Sequence, residues 1–269
     1  MRPEDNTAGT YSYSARECSE SWIIESPSHD PWLNLALEEY LFHTLGQNQA
    51  HIVLYTNRDS VIIGRNQNPG YECSLSLLEK ENIRLARRFT GGGTVFHDMG
   101  CLNFSFIMDK SRHNLSKHFH LIIRELQNLG IPCEASDRHD ILVKGKKVSG
   151  NAFCYQKDKA IHHGTLLVTT NLGRLKRCLT VSHRDSSNER AVRSRPARVA
   201  NLSEYCEGLT IKGLMKGLHR VFQREISCQS LEDNDLYNIY ASLELREIYT
   251  RLSSSRWIIN KNRRGATHK

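Results

Sequence analysis

Apolar residues recur at helical spacing in several stretches of the chain. In the clearest of them, Ser116 to Leu129, five apolar residues fall on one face, with Ser116 as a suitable N-cap and Gly130 as a suitable stop. Asp30 caps a second helix that runs to Phe42 and has a proline at its first position. The same spacing predicts helices over Ser74–Glu81, Asn171–Leu179, Thr210–Arg224 and Leu236–Leu252.

Short apolar runs between these helices predict β-strands. Ile52–Tyr55 and Val61–Gly64 are separated by the turn-forming stretch Asn57–Asp59, which predicts a hairpin. Because the strands are short and joined by turns, the expected fold class is α+β, a mainly antiparallel sheet flanked by helices. The other predicted strands are Arg84–Arg88, Thr94–His97, Leu102–Met108, Asp140–Val143, Lys146–Ser149 and His162–Val168.

The periodic pattern extends over residues 22–252, which are interpreted as one domain. Residues 1–21 are polar and predict a flexible leader, and residues 253–269 predict a tail. The polar, basic stretch Ser182–Ala200 lacks periodicity and predicts a mobile loop. No run of about 18 apolar residues is present, so no membrane span is expected.

Charge and cysteine usage narrow the class of protein. The formal net charge of +8 favours acidic partners such as nucleic acid, nucleotides, anionic lipid or acidic domains. The excess is concentrated at 144–147, 190–198 and 256–264, each of which could equally be a solvated surface. The eight cysteines form no Cys-x-x-Cys pair, so neither a zinc site nor a redox motif is indicated, and reduced intracellular thiols are expected.

The strongest local motif is the glycine-rich stretch at 87–98, Arg-Arg-Phe-Thr-Gly-Gly-Gly-Thr-Val-Phe-His-Asp. Consecutive glycines let a ligand approach the backbone, whose N–H groups can form a concave anion site. Paired arginines supply charge-assisted hydrogen bonds to phosphate or carboxylate. The spacing differs from a Walker A loop, and a plain glycine-rich turn is the alternative interpretation.

Two further motifs carry candidate chemistry. Lys144–Ala152 places lysines on a strand beside a small, glycine-containing stretch, which suits a charge held against phosphate or a developing oxyanion; a solvated basic hairpin is the alternative. His162 and His163 are adjacent on a strand and therefore face opposite ways. One could enter a site while the other meets solvent, and their spacing is poor for zinc.

Together the three motifs resemble the lipoate–protein ligase A and mitochondrial lipoyltransferase family. Gly64–Pro69 is similar to the family's Gly-Arg/Lys-x-Gln-Asn-Pro stretch, and Asp30–Glu39 is similar to its opening helix. The similarity runs from about Trp22 to about Leu202, most of the chain. It implies the biotin/lipoate ligase catalytic-domain fold, with 22–252 as a lipoate ligase catalytic domain.

The resemblance also implies roles for individual residues. Lys147 would be the catalytic residue, contacting both the acyl carbonyl and the adenylate phosphate. Asp140 would contact the adenine or a magnesium ion, and no protein-bound metal site is implied. Residues implied in ATP or lipoyl-AMP binding are Arg88, Gly93, Thr94, Val95, Phe96, Asp140, Lys147 and Thr165; those implied in lipoate binding are Gly91, Gly92, His97 and His163.

The implied reaction has two halves and uses ATP, Mg²⁺ and lipoate. Lipoate and ATP give lipoyl-AMP, from which a lysine of a carrier domain then takes the lipoyl group. The implied carriers are the lipoyl domains of 2-oxoacid dehydrogenase complexes and the H-type protein of glycine cleavage, with neither nucleic acid nor membrane as partner. A mitochondrial location is expected, with a cytoplasmic one as the alternative.

The sequence departs from the family pattern at two places, which leave alternatives open. Cys101 replaces an asparagine, and a transferase using an acyl-carrier donor and a cysteine nucleophile is one alternative; a buried, inert thiol is favoured instead. The stretch around Trp257 lacks the glycine and proline that introduce the family's C-terminal accessory domain, so that domain is expected to be absent. The chain would then need a separate accessory or activating protein, or use preformed lipoyl-AMP.

Three other interpretations of the function are less well supported by the sequence. A biotin ligase is disfavoured because the Gly-Arg-Gly-Arg signature is missing. A nucleic-acid-binding module is disfavoured because Arg190–Arg198 contains no aromatic residue on which a base could stack. A pseudoenzyme that has lost adenylation is disfavoured by the intact Arg88, Gly91–Gly93 and Lys147.

Overall fold

A computed structural model describes residues 21–180, 194 and 196–259 of the protein. The predicted leader, apart from Ser21, lies outside the described residues, as do most of the predicted loop at 182–200 and the tail beyond Ile259. Two of the three basic clusters, at 190–198 and 256–264, therefore fall only in part within them.

The described strands and helices alternate along the chain in short segments. The strands are β1 Trp22–Glu25, β2 Ala50–Thr56, β3 Ser60–Ile63, β4 Arg84–Arg87, β5 Val95–His97, β6 Cys101–Asp109, β7 Cys133–Ala135, β8 Ile141–Val143, β9 Lys146–Ser149, β10 Asn151–Gln156, β11 Lys159–Leu167 and β12 Gln229–Ser230. The α-helices are α1 Pro31–Thr44, α2 Pro69–Glu72, α3 Leu75–Lys80, α4 Leu115–Asn128, α5 Leu172–Leu179, α6 Ile211–Ile226, α7 Asp233–Ala241, α8 Leu243–Ser253 and α9 Ser255–Ile258.

Three sheets organise these strands. The largest has the order β10-β11-β6-β2-β1-β12, with parallel pairing at β1–β2 and β1–β12 and antiparallel pairing elsewhere. The second, β4-β3-β5, is mixed, and the third, β7-β8-β9, is antiparallel. The predicted α+β class with a mainly antiparallel sheet is confirmed, and the sheet is mixed because of its parallel β1 ladders.

Helices cover both faces of the large sheet. Alternation along β6 sends Phe104 and Phe106 to one face, where α4 and α6 pack, and Ile107 to the other, where α1 and α8 pack. Because both faces are covered, β2 is buried along its whole length and β6 along all but Asp109, including the polar residues Asn103 and Ser105. No helix in the described ranges is long and apolar enough to cross a membrane.

The predicted hairpin is wrong in its pairing, although both of its strands exist. β2 belongs to the large sheet, whereas β3 pairs with β4 and β5 in the second sheet, so the Asn57–Asp59 connection carries the chain between sheets. Both strands are fully buried, and their sequence pattern does not distinguish one buried partner from another.

Three helix details also differ from the predictions, and the strands β1, β7, β10 and β12 were not predicted. The stretch predicted as one helix over 236–252 is α7 and α8, because Ser242 takes an extended conformation and caps α8 through the N–H of Leu245. Asn114, rather than Ser116, caps α4 through the N–H of Lys117. Leu129, which was predicted to lie on the apolar face of this helix, is 36% exposed. Strand β10 forms an edge of the large sheet.

Candidate active site

A cavity of about 320 Å³ opens between the glycine-rich loop, the β8–β9 hairpin and strand β11. Three cations among the described residues line it, Arg88, Arg138 and Lys147, against one carboxylate, Asp140. This balance makes the cavity suitable for an anionic ligand. At its buried end the lining is Leu35, Tyr55, Ile62, His97, Asn103 and His163.

Lys147 and Asp140 form an ion pair at the more open end of the cavity. The Nζ of Lys147 lies 2.8 Å from Oδ1 of Asp140, with 28% and 22% of the two side chains exposed. The β8–β9 hairpin holds them together, since Lys144 and Gly145 at its turn both have positive φ, 48° and 73°. The lysine is therefore held in one place while its cation stays accessible to a ligand.

Gly150 lets the lysine side chain pass close to the backbone. A Cβ at Gly150 would lie 3.0 Å from Nζ of Lys147, and a side chain there would displace the cation. Gly150 also exchanges hydrogen bonds with Thr165, whose N–H donates to the Gly150 carbonyl over 3.0 Å and whose Oγ1 accepts the Gly150 N–H over 3.2 Å. Thr165 thus joins the lysine hairpin to the large sheet at the cavity wall.

Arg88 holds the glycine-rich loop in place through hydrogen bonds to its backbone carbonyls. Its guanidinium donates to the carbonyls of Gly91, Gly93 and Ile62 at 2.7–3.3 Å. These bonds use four of its five N–H hydrogens and leave one on Nη1. Burial lowers the pKa of Arg88 to about 10, so that the group stays charged at neutral pH. A ligand in the cavity can take the remaining hydrogen bond.

Arg87 does not take part in the site, contrary to the expectation that both arginines bind an anion. Its side chain is fully buried, and its guanidinium donates to the carbonyls of Gly64, Arg65, Gln67, Trp257 and Ile258. Burial without a carboxylate partner lowers the pKa of Arg87 to about 10. The residue connects the strand–loop region after β3 to the end of α9.

A buried carboxylate, Glu38 of α1, orients the histidine at the deep end of the cavity. Oε2 of Glu38 lies 3.0 Å from Nδ1 of His163, and its Oε1 accepts the hydroxyls of Tyr55 and Ser105. The other nitrogen of His163 lies 2.8 Å from Oγ1 of Thr90, just before the glycines. Both polar edges of the His163 ring are thus engaged, and the ring itself forms part of the cavity wall.

His162 is buried on the opposite face of β11, so the expectation that one of the two histidines meets solvent is wrong. Its Nε2 lies 2.9 Å from Oδ1 of Asn151, and its ring stacks near Phe106 and His118. Burial lowers the pKa of His162 well below its ordinary value. Helix α4 covers this face of the sheet, which is why a strand histidine finds no solvent there.

Nine of the twelve predicted site residues line the cavity. Phe96 does not, because alternation along β5 sends Val95 and His97 to the cavity and Phe96 into the cluster with Val61 and Leu78. Gly91 and Gly92 lie beside it, and the prediction that lipoate contacts them stays a prediction. The nine are Arg88, Gly93, Thr94, Val95, His97, Asp140, Lys147, His163 and Thr165.

Several polar residues at the site were missed by the sequence analysis. Asn34 and Glu38 are spaced i, i+4 in α1, which puts two polar side chains on one stripe of an otherwise buried helix; this was an available signal. Ser194 accepts the N–H of Thr94 over 2.7 Å, and no local pattern indicated it. The others are Asn57, Asn103, Arg138 and Asn151.

The thiol of Cys101 is buried, as predicted. The residue is fully buried at the start of β6, and it does not line the cavity. Burial raises the pKa of this thiol well above its ordinary value, which leaves no thiolate at neutral pH. Within the described residues seven cysteines are free, and no group of three or more His, Cys, Asp or Glu is placed to hold a metal ion.

Comparison with known sequences assigns the family. The sequence profile of the lipoyl protein ligase A/B catalytic domain matches residues 30–223, well over half of the chain, and the chain belongs to this family. It is 39% identical over 246 residues to lipoate-protein ligase A of Bdellovibrio bacteriovorus, covering 88% of this chain and 71% of that protein. It is also 39% identical over 201 residues to lipoate-protein ligase A of Psychrobacter cryohalolentis, covering 75% of this chain but 59% of that protein.

Solved structures show the same fold. P. falciparum LipL1 in complex with lipoate is 29% identical with a TM-score of 0.77, covering 93% of this chain and 75% of that one. A lipoate-protein ligase A bound with ATP is 25% identical with a TM-score of 0.71, covering 90% and 98%. The bi-partite ligase of Thermoplasma acidophilum, 24% identical with a TM-score of 0.73 over 92% and 99%, supports the fold alone.

Proposed function

We propose that the protein attaches lipoate to a lysine of carrier domains through lipoyl-AMP. The observation that carries this proposal is the Lys147–Asp140 pair, which faces the Arg88-organised glycine loop across a cavity of net positive charge. The relatives at 39% identity are lipoate-protein ligases, and the similar structures include proteins bound to lipoate and to ATP. An acyl-adenylate is an anion with an apolar tail, which fits a cavity that has Lys147 and Asp140 at its open end and Leu35, Tyr55 and Ile62 at its buried end.

Lys147 would act by electrostatics rather than by covalent chemistry. In the first half-reaction a carboxylate oxygen of lipoate attacks the α-phosphorus of ATP, and pyrophosphate leaves. In the second, the amine of the carrier lysine attacks the acyl carbonyl, and AMP leaves. A cation fixed by Asp140 and accommodated by Gly150 can stabilise negative charge on the acyl oxygen and the phosphate in both steps.

The glycine loop would hold the other side of the adenylate. Gly93, Thr94 and Val95 line the cavity, and Arg88 has one N–H hydrogen left for a carboxylate or phosphate oxygen. Thr165 stands beside Lys147 at the wall, where it would meet the ribose-phosphate. His97 and His163, with Gly91 and Gly92 near them, would surround the lipoyl chain at the buried end.

Mg²⁺ would enter with ATP rather than in a protein-built site. Asp140 is the carboxylate at the cavity wall, and one of its oxygens is engaged by Lys147. Mg²⁺ commonly takes one or two carboxylates together with phosphate oxygens and water, so the second oxygen of Asp140 suits such an ion. The metal would neutralise charge on the departing pyrophosphate.

The partners and location are proposed on chemistry and resemblance. Carriers of the lipoyl-domain kind, from 2-oxoacid dehydrogenase complexes and the H-type protein of glycine cleavage, would present the accepting lysine. The Thermoplasma ligase, which shares the fold, is described as part of a lipoylation system together with its E2 lipoyl domain. A mitochondrial location is proposed because the sequence of residues 87–100 resembles mitochondrial members of the family slightly more than bacterial ones.

Replacement of Lys147 tests this function, with the neighbouring Lys146 as a matched control. Lys147→Ala should lower the rate of transfer from lipoyl-AMP to an apo lipoyl domain by about 10²- to 10³-fold, the usual effect of losing an electrostatic stabiliser. Lys146 is on the same strand, but it is exposed and pairs with Glu204 outside the cavity. Lys146→Ala should therefore stay within about twofold of wild type. Equal rates in the two variants would remove Lys147 from the mechanism.

A further inference from the structure

His97 holds an unpaired hydrogen-bond donor beside the buried end of the cavity. Its ring lines the cavity and the residue is 4% exposed. Its Nδ1 lies 2.9 Å from Nδ2 of Asn57, whereas its Nε2 is buried and has no partner within the described part of the chain. Buried polar groups nearly always make a hydrogen bond, so a buried nitrogen without a partner at a ligand cavity indicates that the ligand supplies the partner.

A chain of side chains fixes which way each amide points. Asn34 donates from Nδ2 to the carbonyl of Ser28 over 2.9 Å, and a carbonyl can only accept, so the orientation of this amide is set. The same Nδ2 donates to Oδ1 of Asn57 over 2.8 Å, and Oδ1 of Asn34 accepts the hydroxyl of Ser26. Asn57 must therefore present its Nδ2 to His97 as a donor.

The donor from Asn57 determines the tautomer of His97. Because Nδ1 accepts a hydrogen bond, the neutral ring carries its hydrogen on Nε2. Burial, with smaller contributions from Arg88 and His163, lowers the pKa of His97 to about 3, so the ring is neutral at pH 7. His97 is thus a fixed, uncharged N–H donor.

The other two rings at this end of the cavity, those of Tyr55 and His163, have no free hydrogen-bond donor. The hydroxyl of Tyr55 is donated to Glu38, and the two nitrogens of His163 are engaged by Glu38 and Thr90. Leu35 and Ile62 complete an apolar lining around them. A chain end that reaches this region meets hydrocarbon, the engaged rings of Tyr55 and His163, the side-chain amide of Asn103 and the Nε2–H of His97.

We propose that His97 Nε2–H recognises a sulfur of the dithiolane ring and makes the site select lipoate over octanoate, with Asn57 as the positioning residue. This inference rests on the proposed function, with the carboxyl end at the more exposed Lys147 and the tail toward His97. The dithiolane ring ends in sulfur, a weak acceptor. Octanoate ends in a methyl group, which would exclude water and leave the N–H unpaired.

Binding of the two acids to three proteins tests the selectivity. Titration calorimetry should show that wild type binds lipoate at least about tenfold more tightly than octanoate, the scale of one unpaired buried donor. His97→Phe keeps a ring and removes the donor, and should bring the ratio to within about threefold. His118→Phe is the control, since His118 is also a buried histidine but lies away from the cavity; it should keep the wild-type ratio.

The outcomes separate this inference from the proposed function. An unchanged ratio in His97→Phe overturns the role of the donor while leaving lipoate binding intact. An equal loss of affinity for both acids places the contact on the shared carboxylate and also overturns it. Failure of wild type to bind either acid overturns the proposed function and the inference together.

The tautomer can be read without any ligand, which keeps the idea testable if His97→Phe fails to fold. Nitrogen NMR of the ¹⁵N-histidine-labelled protein should show, at neutral pH, a protonated Nε2 and an unprotonated Nδ1 for His97. Asn57→Leu should remove this preference and lower the lipoate-to-octanoate ratio. A wild-type ring protonated on Nδ1 contradicts the inference, and so does an unchanged tautomer in Asn57→Leu.

Discussion

At the scale of single residues, two adjacent arginines have different roles that their sequence motif does not separate. Arg87 donates only to backbone carbonyls in the interior, whereas Arg88 lines the cavity. The motif predicted charge near glycines correctly, because that much is a matter of local sequence. It could not predict that five carbonyls from two distant segments surround Arg87, because α9 reaches β4 only through the tertiary fold.

Loss of Arg87 should therefore affect folding rather than ligand binding directly. Arg87→Met leaves several buried carbonyls unpaired and should lower the free energy of unfolding by about 3 kcal/mol or more. Arg84 is the matched control on the same strand, since its ion pair with Asp30 is partly exposed. Arg84→Met should cost under about 1 kcal/mol in urea unfolding. Similar losses in both variants would show that the interior bonds of Arg87 contribute no more than a surface pair.

The polar residues around the cavity show which site residues could be predicted from the sequence and which could not. Lys147, Asp140 and Thr165 were implied by the family resemblance, and all three line the cavity. Asn57 lies in a connection that was interpreted as a hairpin turn, and its contact with His97 depends on β2 and β3 belonging to different sheets. An error in strand pairing thus hid the residue that sets the His97 tautomer.

At the scale of elements, the glycine loop works because two chain segments approach closely. Gly92 has a φ of +91°, and a Cβ there would lie 2.7 Å from Cβ of Ala152 and from Nη2 of Arg88. A Cβ on Gly64 would meet the carbonyl oxygen of Gly92 at 2.2 Å. The sequence predicted a glycine-rich turn near a ligand, but close approach to β10 could not be foreseen because that strand was not predicted.

Alanine substitutions at the neighbouring Gly91 and Gly92 should distinguish backbone strain at Gly92 from the general effect of replacing a glycine. Gly92→Ala should lower the free energy of unfolding by about 1–3 kcal/mol and weaken lipoate binding, because it strains the backbone and displaces Arg88. Gly91→Ala meets no atom within 4 Å and should change stability by under about 0.5 kcal/mol. Urea unfolding of both variants is the measurement, and equal stability of the two would argue against a strained loop.

The break between α7 and α8 is a second element-scale feature that periodicity concealed. Leu236 and Leu245 both pack on the α1 face of the sheet, so apolar spacing continues through the break and predicts one helix. The capping hydroxyl of Ser242 ends that continuity locally. A sequence pattern predicts the buried face of a helix more reliably than the residue at which one helix ends and the next begins.

Removal of that cap should have a measurable cost. Ser242→Ala should lower the free energy of unfolding by about 1 kcal/mol, because the N–H of Leu245 loses its acceptor. Ser74 precedes α3 and makes no side-chain cap bond, so Ser74→Ala should cost under about 0.5 kcal/mol. If thermal unfolding shifts equally for both, the Ser242 hydroxyl has no capping role.

At the scale of the whole molecule, the net charge of +8 bears on the encounter with a carrier. The exposed Arg138 lines the charged end of the cavity, and the exposed Lys144 lies at the turn of the β8–β9 hairpin that carries Lys147. We propose that the carrier domain is acidic, in which case long-range attraction would raise the association rate.

Salt should therefore slow transfer to the carrier without weakening small-ligand binding to the same degree. Between low and physiological ionic strength the second-order rate constant for transfer from lipoyl-AMP should fall several-fold. Lipoate affinity, measured in the same buffers, should change less, since the site proposed for the acyl chain is buried and shielded from salt. A transfer rate independent of salt would remove charge as a factor in carrier docking.

The most direct measurement is the mass of an apo lipoyl domain after incubation with the wild-type chain, lipoate, ATP and Mg²⁺. The proposed ligase activity predicts addition of one lipoyl group to a single lysine, with loss of the product when ATP is omitted. Modification only from preformed lipoyl-AMP would contradict adenylate formation by this chain and leave it as a transferase. An unmodified domain with either donor would contradict lipoate attachment altogether.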